Sequence, residues 1–355
     1  MANLTTTLGQ TAARPARHER ERRSLRFDWL VTLLGLWMIG GIHLDAWAHH
    51  HFDVETFFTP WHGVLYSGFL ALAAVLVGTF AFNRRKGRAW GQAMPIGYGL
   101  SLLGVAVFMA GGLGDMLWHV LFGIEVTIEV LLSPTHLMLA LGGALIITGP
   151  IRAAWARVGG GWKSLLPALV SLGLMLSLLV FFTSYANPFS NAAHAQGQRS
   201  NSDYELFLMQ SVGVAGILVQ AALMMGVILL AVRRWGPPED RLPFGGLTLL
   251  LSLSTLLTVS IHQDWRLAPF AVLAGLVADV LLRWWQPTAT RPSTFRWFAF
   301  AVPVVYYALY FATLALTGGI WWTIHLWAGA IVVAGVAGWL LSYAFVAPAQ
   351  HTEHV

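Results

Sequence analysis

Two short patterns in this chain carry residues able to grip a metal ion. The first is Asp45-Ala-Trp-Ala-His49, then Glu55, then Thr59-Pro60-Trp61-His62. The second lies 70 residues further on and reads Asp115-Met-Leu-Trp-His119, then Glu125, then Ser133-Pro134-Thr135-His136. In both, His follows Asp by four residues, Glu follows that His by six, and a Pro-x-His closes the pattern. The second copy holds four additional residues between Glu and Pro, about one helical turn. On a helix, Asp and His at i and i+4 project from one face, about 6 Å apart along the axis. Imidazole nitrogen and carboxylate oxygen are donors that suit Cu(II) and Zn(II). Thr59 and Ser133 suit a helix N-cap, and Pro60 and Pro134 suit the first helical position. His62 and His136 then fall in the first turn of a returning helix, and each hairpin can close an Asp/His/His set. The candidate ligands are Asp45, His49 and His62 in the first copy and Asp115, His119 and His136 in the second. A lone Asp–His pair reads more simply as a hydrogen-bonded buried couple. Repetition favours ligation in the first copy and leaves both readings open in the second.

The elements that must position these residues are membrane helices. The chain has 355 residues, 57% hydrophobic and 10% charged, which excludes an ordinary soluble domain. Its 17 Trp, 20 Phe and 8 Tyr suit bilayer interfaces and packed membrane helices. Ten apolar stretches of about 20 residues predict an all-α, polytopic bundle of about ten transmembrane helices. Of the 21 basic residues, 19 fall before the first stretch or in alternate linkers, leaving only Arg199 and Arg266 on the other side. The positive-inside rule then places both termini in the cytoplasm and both metal patterns at the outer, periplasmic face of the inner membrane. The basic charge is used for orientation, so a nucleic-acid partner is not expected. Residues 1–27 read as a basic cytoplasmic tail, 28–151 as a four-helix metal-binding repeat region, 152–346 as six further helices with an outer loop at 187–204 read as a flexible cap, and 347–355 as a second tail. Ala46-Trp47-Ala48 has the look of a signal-peptidase site, but the apolar stretch before it is longer than a signal core. It is read as a retained helix.

Ten of the thirteen histidines map to the outer level, as do Asp45, Asp53, Glu55, Asp115, Glu125, Glu129 and Asp264. Ionisable groups beside apolar spans are costly unless paired, ligated or wet, so a polar outer site is expected. His43, Glu55, Glu125, Glu129, His262 and Asp264 are candidates to stand behind the ligands as hydrogen-bonding support. His50 and His51 extend a three-histidine run that binds metal itself or is simply solvated. His325 reads as a satisfied buried histidine, and Asp279 as an i,i+4 ion-pair partner of Arg283. The absence of cysteine excludes disulfides, iron–sulfur clusters and thiolate sites, so any metal is held by nitrogen, oxygen or thioether.

The run Asp45-x3-His49-x12-His62, with Glu55 and Phe57-Phe58-Thr59-Pro60 before the last His, resembles the metal-binding motif in the C subunit of the copper membrane monooxygenases, the particulate methane and ammonia monooxygenase family. The resemblance implies Asp45, His49 and His62 as the ligands of a copper site. That family's neighbouring Asn-x3-His, Phe, Glu and Pro-x-His pattern is similar to His119, Phe122, Glu125, Pro134 and His136 here. The chain departs from it in having Asp115 where the family usually has Asn, and in a longer return to His136. The resemblance covers residues 28–151 and none of the later spans.

Three function classes follow. The first is a copper-dependent membrane monooxygenase with Asp45, His49 and His62 as its catalytic centre, oxidising a small apolar substrate with O2. Its electrons come from quinol or a companion subunit, and homo-oligomers are compatible with it. Trp47, Phe52, Phe57, Phe58, Trp61, Trp118 and Phe122 would supply an apolar wall or belong to the interfacial belt. The second class is a non-catalytic protein that binds or passes copper or zinc. The third, a bis-His haem quinol oxidoreductase, leaves the repeated Asp without a role.

Overall fold

The computed structural model describes residues 4–52, 58–123, 128–190, 194–196, 200–237 and 241–346, with side chains from residue 24 onward. Twelve α-helices run through them: α1 (Leu4–His51), α2 (Pro60–Arg85), α3 (Gly99–Phe122), α4 (Glu129–Leu132), α5 (Pro134–Ile147), α6 (Gly149–Trp155), α7 (Trp162–Phe182), α8 (Asp203–Trp235), α9 (Gly246–His262), α10 (Ala268–Trp285), α11 (Pro292–Thr317) and α12 (Ile324–Phe345). This is an all-helical membrane bundle. Nine stretches are long and apolar enough to cross a bilayer, with α5 and α6 together forming one and the apolar part of α1 starting at Ser24. The expected tenth, α9, is a shorter apolar helix, packed against α7 and α10.

The successive apolar stretches alternate in direction. Those running one way end in Arg84 and Arg85 (α2), Arg233 and Arg234 (α8) and Arg283 (α10). Those running the other way end in His49, His50 and His51 (α1), His119 (α3) and His262 (α9). One end of the bundle is therefore basic and the other histidine-rich.

Two apolar cores share α7 as their common wall. Met38, Phe69, Phe108, Ile146, Leu174 and Leu178 belong to the first, which holds the helices of the two hairpins. Leu172, Met225, Leu251, Phe270, Tyr307 and Phe311 belong to the second. Within each hairpin the two helices touch backbone to backbone at a glycine. A Cβ on Gly41 of α1 would lie 2.6 Å from Cα of Leu65 in α2, and one on Gly142 of α5 would lie 2.5 Å from the backbone nitrogen of Phe108 in α3. Small residues allow this approach, which is how helices pack where no water drives them together.

Buried polar contacts tie α1 to the rest. At the basic end, Tyr98 donates to Oδ1 of Asp28 at 2.6 Å and Arg157 pairs with its other oxygen. Further along, Ser177 of α7 lies 2.9 Å from Nε2 of His43.

Three sequence expectations change. Asp279 does not pair with Arg283: it accepts from the backbone N–H groups of Leu247 and Thr248 at 3.2 and 3.0 Å and from the Thr248 hydroxyl at 2.7 Å. The first N–H groups of α9 lack helical partners, and a buried carboxylate satisfies them. Arg283 donates instead to the Leu242 carbonyl. His325 is exposed in the first turn of α12, which begins at Ile324. Of the loop over 187–204, read as a flexible cap, several described residues are packed into the bundle. Asn187, Phe189 and Ala195 are buried, Phe189 stacks on Phe270 at 5.3 Å, and Tyr310 donates to the Pro188 carbonyl at 2.9 Å.

Candidate metal centres

Each hairpin turns its chain with the same device. Thr59 and Ser133 cap α2 and α5, their hydroxyls accepting from the backbone N–H of His62 at 3.2 Å and of His136 at 3.4 Å, with Pro60 and Pro134 beginning the helices. The caps hold the side chains as well. The Thr59 hydroxyl lies 3.1 Å from Nδ1 of His62, and the Ser133 hydroxyl 2.6 Å from Nδ1 of His136. Opposite them, the last turns of α1 and α3 present Asp45 with His49 and Asp115 with His119.

The six predicted ligands come together as two separate sets, Asp45/His49/His62 and Asp115/His119/His136, and within each set the donor atoms all lie within 4.8 Å of one another. In the first, Oδ2 of Asp45 is 3.7 Å from Nε2 of His49 and 3.5 Å from Nε2 of His62. In the second, Asp115 is 3.6 Å from Nε2 of His119 and 3.5 Å from Nδ1 of His136. The imidazole pair has the same geometry in both, with ring centres 6.1 Å apart and planes at 71°.

These separations lie nearer the spacing of a ligand set than that of a hydrogen-bonded couple. An N–H···O hydrogen bond spans about 2.7–3.2 Å. Two donors each about 2.0–2.2 Å from one zinc or copper ion stand roughly 3–3.5 Å apart. The observed 3.5–3.7 Å is too long for the bond and within a few tenths of an ångström of the ion-bridged spacing. Oδ1 of Asp45 is buried and has no hydrogen-bond partner among the described residues. Oδ2 faces the two histidines, and an ion held by both oxygens of the carboxylate would also satisfy Oδ1, so the donor set fits a divalent ion.

The two sets are not equivalent. Asp115 is 2% exposed and Asp45 16%. Thr135 donates to Oδ1 of Asp115 at 3.0 Å, whereas the matching position in the first hairpin is Trp61. Nδ1 of His119 lies 3.3 Å from the Gly123 carbonyl, which orients its Nε2 toward Asp115. The two sets are near enough to interact electrostatically, since Asp115 and His119 are among the charges acting on Asp45. Tyr66 stands between them. It follows His62 by one turn, its ring centre 6.2 Å away, and it packs on α3 at Gly112, where a Cβ would lie 3.0 Å from the ring.

The supporting candidates separate. His43 has both ring nitrogens engaged, Nδ1 with the Ile39 carbonyl and Nε2 with Ser177, so it joins α1 to α7 instead of backing a ligand. Its place on another helical face is the reason. Asp264 pairs with Arg266 at 2.6 Å, two residues away, and Glu129 is exposed at the start of α4. His262 reaches the histidine-rich end of α1 and meets His50. Glu55, Glu125, Asp53 and Phe57 lie outside the described residues. Of the aromatic residues, Phe52 stacks on Trp61 at 5.2 Å and meets Trp47 edge-on beside the first set, while Phe58 and Phe122 face outward.

Sequence reading passed over Tyr66 and Thr135. Thr135 was visible as a hydroxyl inside Pro-Thr-His, and Tyr66 as an i+4 neighbour of His62, but only the approach of α3 makes either one relevant. Compared with family models, with curated proteins and with solved structures, the chain matches none.

Proposed function

We propose that this protein is a membrane copper oxygenase, with Asp45, His49 and His62 as its reactive set and Asp115, His119 and His136 as a supporting one. The observation that carries this reading is the duplication of one thiolate-free Asp/His/His geometry at one end of the bundle. Imidazole and carboxylate suit copper(II) and zinc(II), and intrinsic affinity favours copper. The resemblance of the first set to the copper membrane monooxygenases adds the reaction class. A small apolar R–H and O2, with two electrons and two protons, give R–OH and water. A membrane quinol, oxidised to the quinone, or a companion subunit supplies the electrons. Bound copper supplies the electron transfer to O2 that side chains cannot. The chain's own residues hold the ion, keep His62 oriented through Thr59, and shield the set on one side with Trp47, Phe52 and Trp61. The basic end is assigned to the cytoplasm and the histidine-rich end to the outside of the inner membrane, on the positive-inside rule.

Partial exposure of His49, at 30%, favours a second reading, a protein that binds or passes copper or zinc without turnover. One experiment separates them. Protein purified in detergent with copper is assayed for metal content and for quinol-dependent O2 uptake with a short hydrocarbon or ammonia. The oxygenase reading expects product in the wild type and none in Asp45→Ala, with the second set's ion retained. Copper at wild-type level without any O2 uptake leaves metal handling, and wild-type copper in both His49→Ala and His62→Ala removes the first set from either reading.

A further inference from the structure

The ends of α1 and α9 hold a histidine pair outside both sets. His50 and His262 meet edge to face, with ring centres 4.6 Å apart and planes at 84°, and both are exposed. Nδ1 of His50 lies 2.7 Å from the Ala46 carbonyl. A carbonyl only accepts, so Nδ1 carries the proton and Nε2 keeps its lone pair. This is how metal-binding imidazoles are prepared: one ring N–H anchored on a carbonyl sets tautomer and orientation, and the other nitrogen is left to coordinate. His51 is anchored the same way on the Trp47 carbonyl, but its ring stacks on Trp47 at 4.8 Å.

The pairing is set by packed helices. Leu253 and Leu257 of α9 pack against the core that contains Met38 and Ile39 of α1, which fixes the two helices against each other below the pair. His262 is the last residue of α9, and Gln263 turns the chain in the left-handed conformation at φ 57°. Asp264, whose charge acts on His262, gives both oxygens to Arg266, at 2.6 and 3.0 Å.

We propose that His50 and His262 form a third cation site, distinct from the Asp/His/His sets, which takes an imidazole-preferring transition-metal ion of the copper or zinc type. Two neutral nitrogens hold the ion and water completes its coordination. It therefore binds more weakly and exchanges faster than at a set with three ligands and a carboxylate. The site stands whether or not the two sets hold metal.

The test uses the full chain in detergent, stripped of metal and treated with diethylpyrocarbonate, which modifies unprotonated ring nitrogens. Modification is read residue by residue by mass spectrometry with and without Cu(II). His50 and His262 should be modified readily without Cu(II) and slowed together, about tenfold, once the ion saturates the pair. In His262→Ala, His50 should lose its protection while His49, His62, His119 and His136 behave as in the wild type. Protection of His50 that persists in His262→Ala overturns the proposal, as does a wild type in which neither residue is protected at saturating Cu(II). Because the ligands of the two sets are read in the same spectra, loss of protection there and loss of protection at His50 and His262 are separate outcomes.

Discussion

Thr135 donates a 3.0 Å hydrogen bond to Oδ1 of Asp115, and no residue does the same for Oδ1 of Asp45 among those described. Asp115 is thereby held facing His119 and His136, as well as being the more deeply buried of the two carboxylates. Metal at the second set should therefore leave more slowly than metal at the first. Thr135→Val should accelerate release from the second set by about 10–100-fold, the usual effect of removing a group that orients a ligand. Chelator competition in a His49→Ala, His262→Ala background, where only the second set keeps all its ligands, measures this, and equal release with and without the hydroxyl would contradict it.

The glycine contacts connect helix packing to each set separately. Gly41→Ala places a methyl 2.6 Å from Cα of Leu65, so α1 and α2 must separate, at a cost of about 1–3 kcal/mol. Copper should be lost from Asp45/His49/His62 and retained by Asp115/His119/His136. Gly142→Ala should do the reverse, through the backbone of Phe108. Metal content measured with the thermal midpoint of each variant tests the pairing, and loss of both ions in either variant would mean that the hairpins do not act independently.

Orientation can be measured directly because the chain contains no cysteine. Asn201 and Arg88 are both exposed, at opposite ends of the bundle by the alternation of the helices. Asn201→Cys in intact cells should react with an impermeant maleimide, and Arg88→Cys should react only after lysis. The reverse pattern would turn both metal sets toward the cytoplasm.

His194 lies in the connection between α7 and α8, with Nε2 buried and unpartnered among the described residues. Burial lowers its pKa from the ordinary value of 6.5, because the charged ring loses its water. A lowered folded-state pKa means that the unfolded chain binds the proton more readily. The stability it contributes is complete above the ordinary value and is lost as the pH falls from there through the lower folded-state value. In metal-free protein, His194→Gln should therefore lose less thermal stability than the wild type between about pH 8 and about pH 5. Parallel curves would show that His194 is not part of the acid response.

Much of this architecture was legible in the amino-acid order. Apolar stretches interrupted by alternating basic linkers predict a polytopic helical bundle, because a bilayer leaves the backbone few alternatives to the helix. Asp and His at i and i+4, followed by Ser or Thr, Pro and His, determine which six side chains form two sets, because helical periodicity and capping are local properties. What neighbouring helices do to those sets is not local. Whether the Asp45–His62 and Asp115–His136 separations suit an ion or a hydrogen bond depends on how closely Gly41 and Gly142 let the helices approach. Thr135 reaches Asp115 across a hairpin, Tyr66 comes between the sets only because α3 packs against it, and His50 meets His262 across more than 200 residues of chain. Asp279 took a backbone cap in place of its i+4 arginine for the same reason: the start of α9 is packed beside it, and buried N–H groups without acceptors are costly.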